Sequence, residues 1–391
     1  MGRLNDIIGE YAKKNPVRFH MPGHKGKSTG SLDYSIDVTE LFFTDNLYNP
    51  STESNLICGL EDRISRCFFK NNSISSLISC SGATLCVQTS VLALKRLKQE
   101  RNESKDLYII CDKTSHISFK DAIALLNITP LWVEPDENFT EKIDYFIQNQ
   151  KTNENNIIGV FVTSPDYFGN MKDIEQISKE CKKYSLNLAV DNSHGSHLAF
   201  YKNGSLHPIN LGADISIDSI HKTLPVLTGA ALLHSADNFC DKNILRNSMK
   251  MFASTSPSYI ILQSIEKMVD LLETCGFEEH EILINDINLF RQKAENLGFI
   301  FDINGFYDPY RLVLNCENSG EKLYYFLAAQ NIVCEFFTQD SVIIIPSILN
   351  CSGDFDKLAD ALKDFAEINK IIPVKTIKSN RDNFYPSGFQ S

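Results

Sequence analysis

"ADISIDSIHKTLPVLTGAALLH", residues 213–234, sets two short apolar runs on either side of a charged pair, His221 and Lys222, with proline and glycine breakers between them. "ADISIDS" (213–219) and "GAALLHS" (229–235) read as strands, so Lys222 falls just past a strand end. An ammonium group with apolar flanks is costly to bury unless it is paired or neutralised. An inward-facing lysine here is therefore held for chemistry, whereas one that merely caps the strand points into water. The residues at the neighbouring strand ends bear on that choice.

Five further runs read as strands: "SLISC" (76–80), "LYIIC" (107–111), "PLWVEP" (130–135), "IIGVFVTS" (157–164) and "LNLAVD" (186–191). Between them, stretches such as "ATLCVQTSVLALKRLKQE" and "MKDIEQISKECKKYS" carry apolar residues at three- and four-residue spacing and predict helices. Continuous apolar strands separated by helices predict an α/β fold with a mostly parallel central sheet covered on both faces. The pattern divides the chain into an N-terminal arm (1–70), a large domain (71–275), a small C-terminal α+β domain (276–370) and a tail (371–391). Two long helical stretches, "SPSYIILQSIEKMVDLLETCG" and "EEHEILINDINLFRQKAENLG", join the two domains, and no internal repeat is evident.

The chain has 391 residues, 43% hydrophobic and 22% charged, and a formal net charge of -11. That balance argues against nucleic acid or an anionic membrane as partner and leaves a small-molecule substrate as the expectation. The longest apolar runs, such as "IIGVFV" at 157–162, fall far short of the roughly 20 residues that span a bilayer. The start, "MGRLNDIIGEYAKKNP", lacks the apolar segment of a secretory signal. Eleven cysteines lie scattered with no CxxC pair, and read as reduced thiols of a cytoplasmic protein, Cys80 and Cys111 among them as core packing.

In parallel sheets ligands bind beyond the carboxyl ends of the strands. Ser81-Gly82-Ala83-Thr84 opens a helix after the first strand, where amides and hydroxyls can hold a phosphate or form a plain N-cap. His116, in "DKTSHIS" (112–118), opens another helix; a lone histidine there is otherwise a cap or surface residue. "VDNSHGSH" (190–197) puts Asp191 at a strand tip, followed by His194 and His197, which suggests a metal at first sight. Gly195 between the two histidines argues against a helix presenting both, and no third ligand stands at suitable spacing, so no metal is expected. No GxGxxG follows a strand, so a dinucleotide is not expected either. A phosphate cup, a flat histidine, a strand-tip acid and a strand-tip lysine together describe one cofactor, pyridoxal 5'-phosphate (PLP).

These motifs resemble the Orn/Lys/Arg decarboxylase family of fold-type I PLP enzymes, which shares the aspartate aminotransferase fold. "RFHMPGHKG" (18–26), "DVTEL" (37–41), "SGAT" (81–84), "SH" (115–116), "TSPDYFG" (163–169), "DNSHGSH" (191–197), "SIHKTLP" (219–225) and "TSPSY" (255–259) match its wording in order. The resemblance implies that the large domain binds PLP, with Lys222 holding the cofactor as a Schiff base and Asp191 pairing with the pyridinium nitrogen. His116 would stack on the ring. Ser81, Gly82, Ala83, Thr84 and Ser219 would bind the phosphate, which Ser256 reaches from a neighbouring subunit. His221 and His194 would lie close to the reacting groups. The implied activity is decarboxylation of lysine, ornithine or arginine by a homodimer with shared active sites. Other PLP chemistry (an aminotransferase, racemase or lyase) and a non-catalytic paralogue are the alternatives.

Several positions depart from the family pattern. Usual members carry a further C-terminal domain with a PGE segment, whereas this sequence ends at "NFYPSGFQS" and contains no PGE. Asp45-Asn46-Leu47-Tyr48 stands in place of DDLH, Ile117 in place of a common lysine, Gly229 in place of glutamine, and Asp166 in place of threonine. A carboxylate at 166 could pair with a basic substrate group or restrain Lys222; otherwise it is a solvated turn residue.

Overall fold

The computed structural model describes residues 17–19, 56–69, 73–99, 106–149, 156–237, 239–254, 257–301 and 305–369. Most of "RFHMPGHKG", all of "DVTEL", Asp45 to Tyr48, Ser256 and the tail from 371 lie outside them. The chain divides into two compact units, one from 28–277 and the other from 1–27 with 278–391. Strand β1 (Val17–Phe19) belongs to the second.

In the first unit, β2 (Ile74–Ser79), β3 (Tyr108–Asp112), β4 (Thr129–Val133), β5 (Ile157–Thr163), β6 (Leu188–Asp191), β7 (Ile215–Asp218) and β8 (Ala231–Ala236) form one sheet. Their order is β2-β8-β7-β6-β5-β3-β4. Strands β7, β6, β5, β3 and β4 run parallel, and β8 runs antiparallel to both β7 and β2. The parallel core accounts for the continuous apolar runs: Val160, Phe161 and Val162 are all fully buried, because helices cover both faces. The link from β7 to β8 holds a 3-10 turn (Ile220–Lys222) and no helix, so the chain returns antiparallel instead of crossing over.

Helices α1 (Leu56–Phe68), α2 (Gly82–Gln99), α3 (Ile117–Leu125), α4 (Phe139–Asn149), α5 (Ile174–Lys183) and α6 (Lys242–Lys250) accompany the sheet. Asp173 caps α5 by accepting the Gln176 N–H, and Lys182 and Lys183 oppose the dipole in its last turn. Ile143 of α4 and Ile174 and Ile177 of α5 pack with Val160, Val162, Leu188 and Val190 into one apolar core. Because β2, β3, β5, β6 and β7 point the same way, the segments after them emerge at a single edge of the sheet.

The two predicted long helical stretches are one 38-residue helix, α7 (Tyr259–Asn296). Gly276 does not break it, although glycine costs about 1 kcal/mol against alanine there; a Cβ would press Leu272 Cδ2 at 2.8 Å. In the second unit, β9 (Ile300–Phe301), β10 (Leu312–Asn315), β12 (Phe336–Phe337) and β13 (Ser341–Ile344) form an antiparallel sheet, while β1 pairs in parallel with β11 (Ile332–Cys334). Phe19 meets Phe355 of α9 (Ser352–Asn369) edge-on at 5.7 Å, and α8 (Gly320–Ala329) completes the unit.

Candidate active site

The turn after β2 is built for close backbone approach. Gly82 sits at φ +72, a region that costs a residue with a Cβ far more than glycine. Its N–H donates to the Gly229 carbonyl at 2.8 Å. The buried Ser79 hydroxyl accepts the Ser81 N–H at 3.1 Å and donates to the Gly82 carbonyl at 2.9 Å. Ala83 and Thr84 then open the 18-residue α2, where the first amides have no intrahelical acceptor and the dipole favours an anion. Ser81 and Thr84 are exposed at this end. The backbone carbonyl of Gly229 thus supplies the acceptor that locks the turn.

His116 caps α3, its Nδ1 accepting the Ser118 N–H at 3.2 Å, and its ring stands exposed. The cap reading and the ring-stacking reading of this residue are compatible, since capping uses one nitrogen and leaves the ring face open. Asp191 is buried at the tip of β6, and its Oδ1 accepts the Ser193 N–H at 3.1 Å. Lys222 follows β7 in the 3-10 turn and meets His194 Nε2 with its Nζ at 2.8 Å. Tyr167 lies edge-on to His194 with ring centroids 5.4 Å apart. Ser219 is buried between β7 and the 3-10 turn.

The charges of Asp191 and Lys222 both act on His116, which places lysine, acid and flat ring in one electrostatic neighbourhood. Desolvation outweighs the pull of Asp191 and, with Lys222, holds the His116 pKa below the usual histidine value. His221 is likewise lowered, first by burial; its Nδ1 donates to the Ala230 carbonyl at 2.9 Å, which leaves Nε2 with its lone pair. Near these residues, three buried hydroxyls make no hydrogen bond to the described residues: Ser115 beside His116, Thr223 beside Lys222, and Thr163, which stands opposite Asp191 in the β5–β6 ladder; Ser196, in the segment after His194, is a fourth.

One neighbouring pair was not foreseen. The buried Asp112 pairs with Lys172 at 3.4 Å and accepts the Thr163 N–H at 3.2 Å, and burial pushes its pKa up. Asp166 closes its own turn: Oδ1 accepts the Phe168 and Asn170 N–H groups, both at 2.9 Å, and Oδ2 accepts from Asn170 Nδ2 at 2.8 Å. That is the turn reading, and the fact that aspartate closes such turns was the available signal. Among the described residues the grouping of three metal-competent side chains is His207, Asp218 and His234, away from the His194–His197 pair weighed from the sequence. Asp218 and His234 both lie in the opening stretch, on the paired strands β7 and β8, while His207 comes from the loop before β7.

Residues 4–310 match the model of the Orn/Lys/Arg decarboxylase major domain. The chain belongs to the Orn/Lys/Arg decarboxylase family. It is 25% identical over 396 residues to an arginine decarboxylase of Bacillus anthracis, covering 94% of this chain and 77% of that one. Among solved structures, the constitutive lysine decarboxylase of E. coli superposes with a TM-score of 0.63 at 18% identity, over 86% of this chain and 54% of that one. The chain thus spans about half the length of that lysine decarboxylase. A serine palmitoyltransferase solved with PLP superposes with a TM-score of 0.64 at 11% identity, over 91% of this chain and 89% of that one. The fold is therefore that of the fold-type I PLP enzymes.

The residues present fit such a cofactor. The Gly82 turn has open space where a Cβ would stand, a helix start favours the phosphate, and unpartnered buried hydroxyls line the same strand ends. Among the described residues no helix is long and apolar enough to cross a membrane.

Proposed function

We propose that this chain is a PLP-dependent decarboxylase of a basic amino acid (lysine, ornithine or arginine), with Lys222 as the residue that holds the cofactor covalently. One observation carries the reading. Lys222 Nζ meets His194 Nε2 at 2.8 Å, and His194 stands three residues after the buried strand-tip acid Asp191. Family membership and arginine decarboxylases among the relatives support the reaction class.

When bound, PLP supplies a protonated ring able to take up the electron pair left as an α-carboxylate departs. The remaining work falls to the chain. Asp191, with Oδ1 occupied by the Ser193 N–H, has Oδ2 left to keep a ring nitrogen protonated. Ser81, Gly82, Ala83, Thr84 and Ser219 hold the phosphate, and Ser256 of a second copy adds to them. The His116 ring would cover one face of the cofactor. His194 orients Lys222 and can exchange a proton with Nζ, while His221, whose pKa burial lowers, has Nε2 left as a second base.

The working form is a homodimer with shared sites. Ile117, directly after His116 and 52% exposed, is an apolar side chain at the rim that a second copy would cover. The compartment is the cytoplasm, consistent with buried thiols such as Cys67 and Cys80, which burial pushes up to about 12 and so keeps inert.

The test is a panel of amino acids assayed for carbon dioxide release and for the amine product. Release from a basic amino acid with an equal yield of amine is expected. Transfer of the amino group, or racemisation with the carboxylate retained, would assign the chain to another PLP reaction.

A further inference from the structure

Directly behind the strand tips lies a buried polar seam that the proposed chemistry does not use. Ser76, His234 and Ser216 are successive register partners across β2, β8 and β7 and therefore share a face of the sheet. Asp191 is the register partner of Ile217, which puts Asn192 and Asp218 on the opposite face, with the seam. Asp218 is fully buried, and its carboxylate accepts four hydrogen bonds. Asn192 Nδ2 forks to both oxygens at 3.1 Å, Ser216 Oγ donates to Oδ1 at 2.7 Å, and His207 Nε2 donates to Oδ2 at 3.1 Å. Rings of Phe68 and Phe69 pack on His234 and His207 and close the seam from water.

The seam has the ligand types of a cation site, but its hydrogen bonds have the wrong polarity for one. His207 Nδ1 accepts the Ile209 N–H at 3.3 Å, so its proton sits on Nε2, the nitrogen a metal would need. His234 Nε2 stays 4.0 Å from Asp218. The carboxylate is satisfied by donors and needs no cation.

We propose that Asp218 is a positioning residue for the site. Its fork to Asn192 clamps the turn from Asp191 to Gly195, and with it the two site residues that turn carries. Three observations connect the clamp to the site. Asn192 directly follows Asp191 in the chain. The turn is closed by the Gly195 N–H donating to the Asn192 carbonyl at 2.8 Å, and it packs so tightly that a Cβ on Gly195 would meet Pro165 Cδ at 2.6 Å and Leu198 Cδ1 at 2.8 Å. His194, within the turn, reaches Lys222, four residues beyond Asp218 on the next strand. The Asp218–Asn192 fork is therefore a staple between the segment that carries the acid and the segment that carries the lysine. Strand pairing alone ends below this point, since the β6–β7 register stops at Asp191 and Ile217.

The inference rests on the PLP reading, and its test separates the two. Dissociation constants for PLP are measured for the full-length protein, Asp218→Asn, Asn192→Ala and the double variant, by the visible band the cofactor gains on binding, alongside urea unfolding. The staple predicts that each single variant weakens PLP about tenfold and that the double is no worse than the weaker single, because both remove one link. It also predicts a shifted pH dependence of the visible band in Asn192→Ala, a substitution that leaves the side chains assigned to the cofactor unchanged. Independent, multiplying losses in the double variant overturn the staple, as does unchanged affinity and pH dependence in Asn192→Ala. Asn192→Ala leaves Asp218 with its His207 and Ser216 bonds, so it serves even where Asp218→Asn does not fold. One equivalent of tightly held zinc, lost in Asp218→Asn, would overturn the staple in favour of a metal site. A wild-type protein that binds no PLP brings down the cofactor reading itself.

Discussion

At the scale of single residues, the chemistry depends on how Lys222 is held. His194 Nε2 meets its Nζ at 2.8 Å, and the contact requires one of the two bases to offer a lone pair. Lys222→Ala is expected to bind PLP without the visible band of a covalent adduct, read by absorbance; retention of that band would remove Lys222 from the role. His194→Gln keeps a polar neighbour but no titratable ring. It is expected to lower kcat about a hundredfold with little change in PLP affinity, since proton transfer by a positioned side chain contributes on that order. Asp166 belongs to a different class, because its two oxygens already accept three N–H donors of its own turn. Asp166→Thr should therefore leave the preference for basic over neutral amino acids unchanged and lower the unfolding midpoint, which a substrate-pairing carboxylate would not do.

Among the elements, the end of β2 and the start of α2 show what local sequence carries. "SGAT" after an apolar run already indicated a helix start fit for an anion, and Gly82 at φ +72 gives the physical reason for glycine. Gly82→Ala is expected to cost about 1 to 2 kcal/mol from the left-handed backbone and to weaken PLP binding, measured by melting and by cofactor titration. The seven strands were legible because a sheet buried on both faces needs unbroken apolar runs, as in β5. The reversed direction of β8 was not, because it follows from the absence of a crossover helix and leaves no mark on the strand itself. The seam of Ser76, His234, Ser216 and Asp218 escaped for a related reason. Its members come from three strands, and only the register shows that their polar positions face one another. Gly276 reads as a breaker in the sequence, yet the packing of α7 overrides it.

For the whole molecule, the buried seam sets a response to acid. Burial holds the His234 pKa at about 3, against the ordinary 6.5, while Asp218 stays below the usual carboxylate range despite its own burial, first through the His207 partnership. The sign for a buried neutral histidine is that the unfolded chain binds the extra proton. Stability is complete above about pH 6.5 and falls by about 1.4 kcal/mol for each unit of acidification below it, until the folded pKa is reached. Asp218 adds nothing to that slope above about pH 3.8, since its contribution is lost only as the pH falls below the ordinary aspartate value. Urea midpoints between pH 8 and pH 4.5 should decline in the wild type and flatten in His234→Gln; an equal decline in both would place the acid sensitivity elsewhere. The proposed catalytic edge, by contrast, needs the whole sheet, since the Ser81–Thr84 turn, His116, Asp191 and Lys222 follow four different strands. The measurement that bears most directly on that arrangement is carbon dioxide release from carboxyl-labelled arginine, lysine and ornithine by the PLP-loaded protein, with Lys222→Ala alongside. Release from at least one of the three that disappears in Lys222→Ala is the predicted result, and a protein that binds PLP yet releases carbon dioxide from none of them would contradict it.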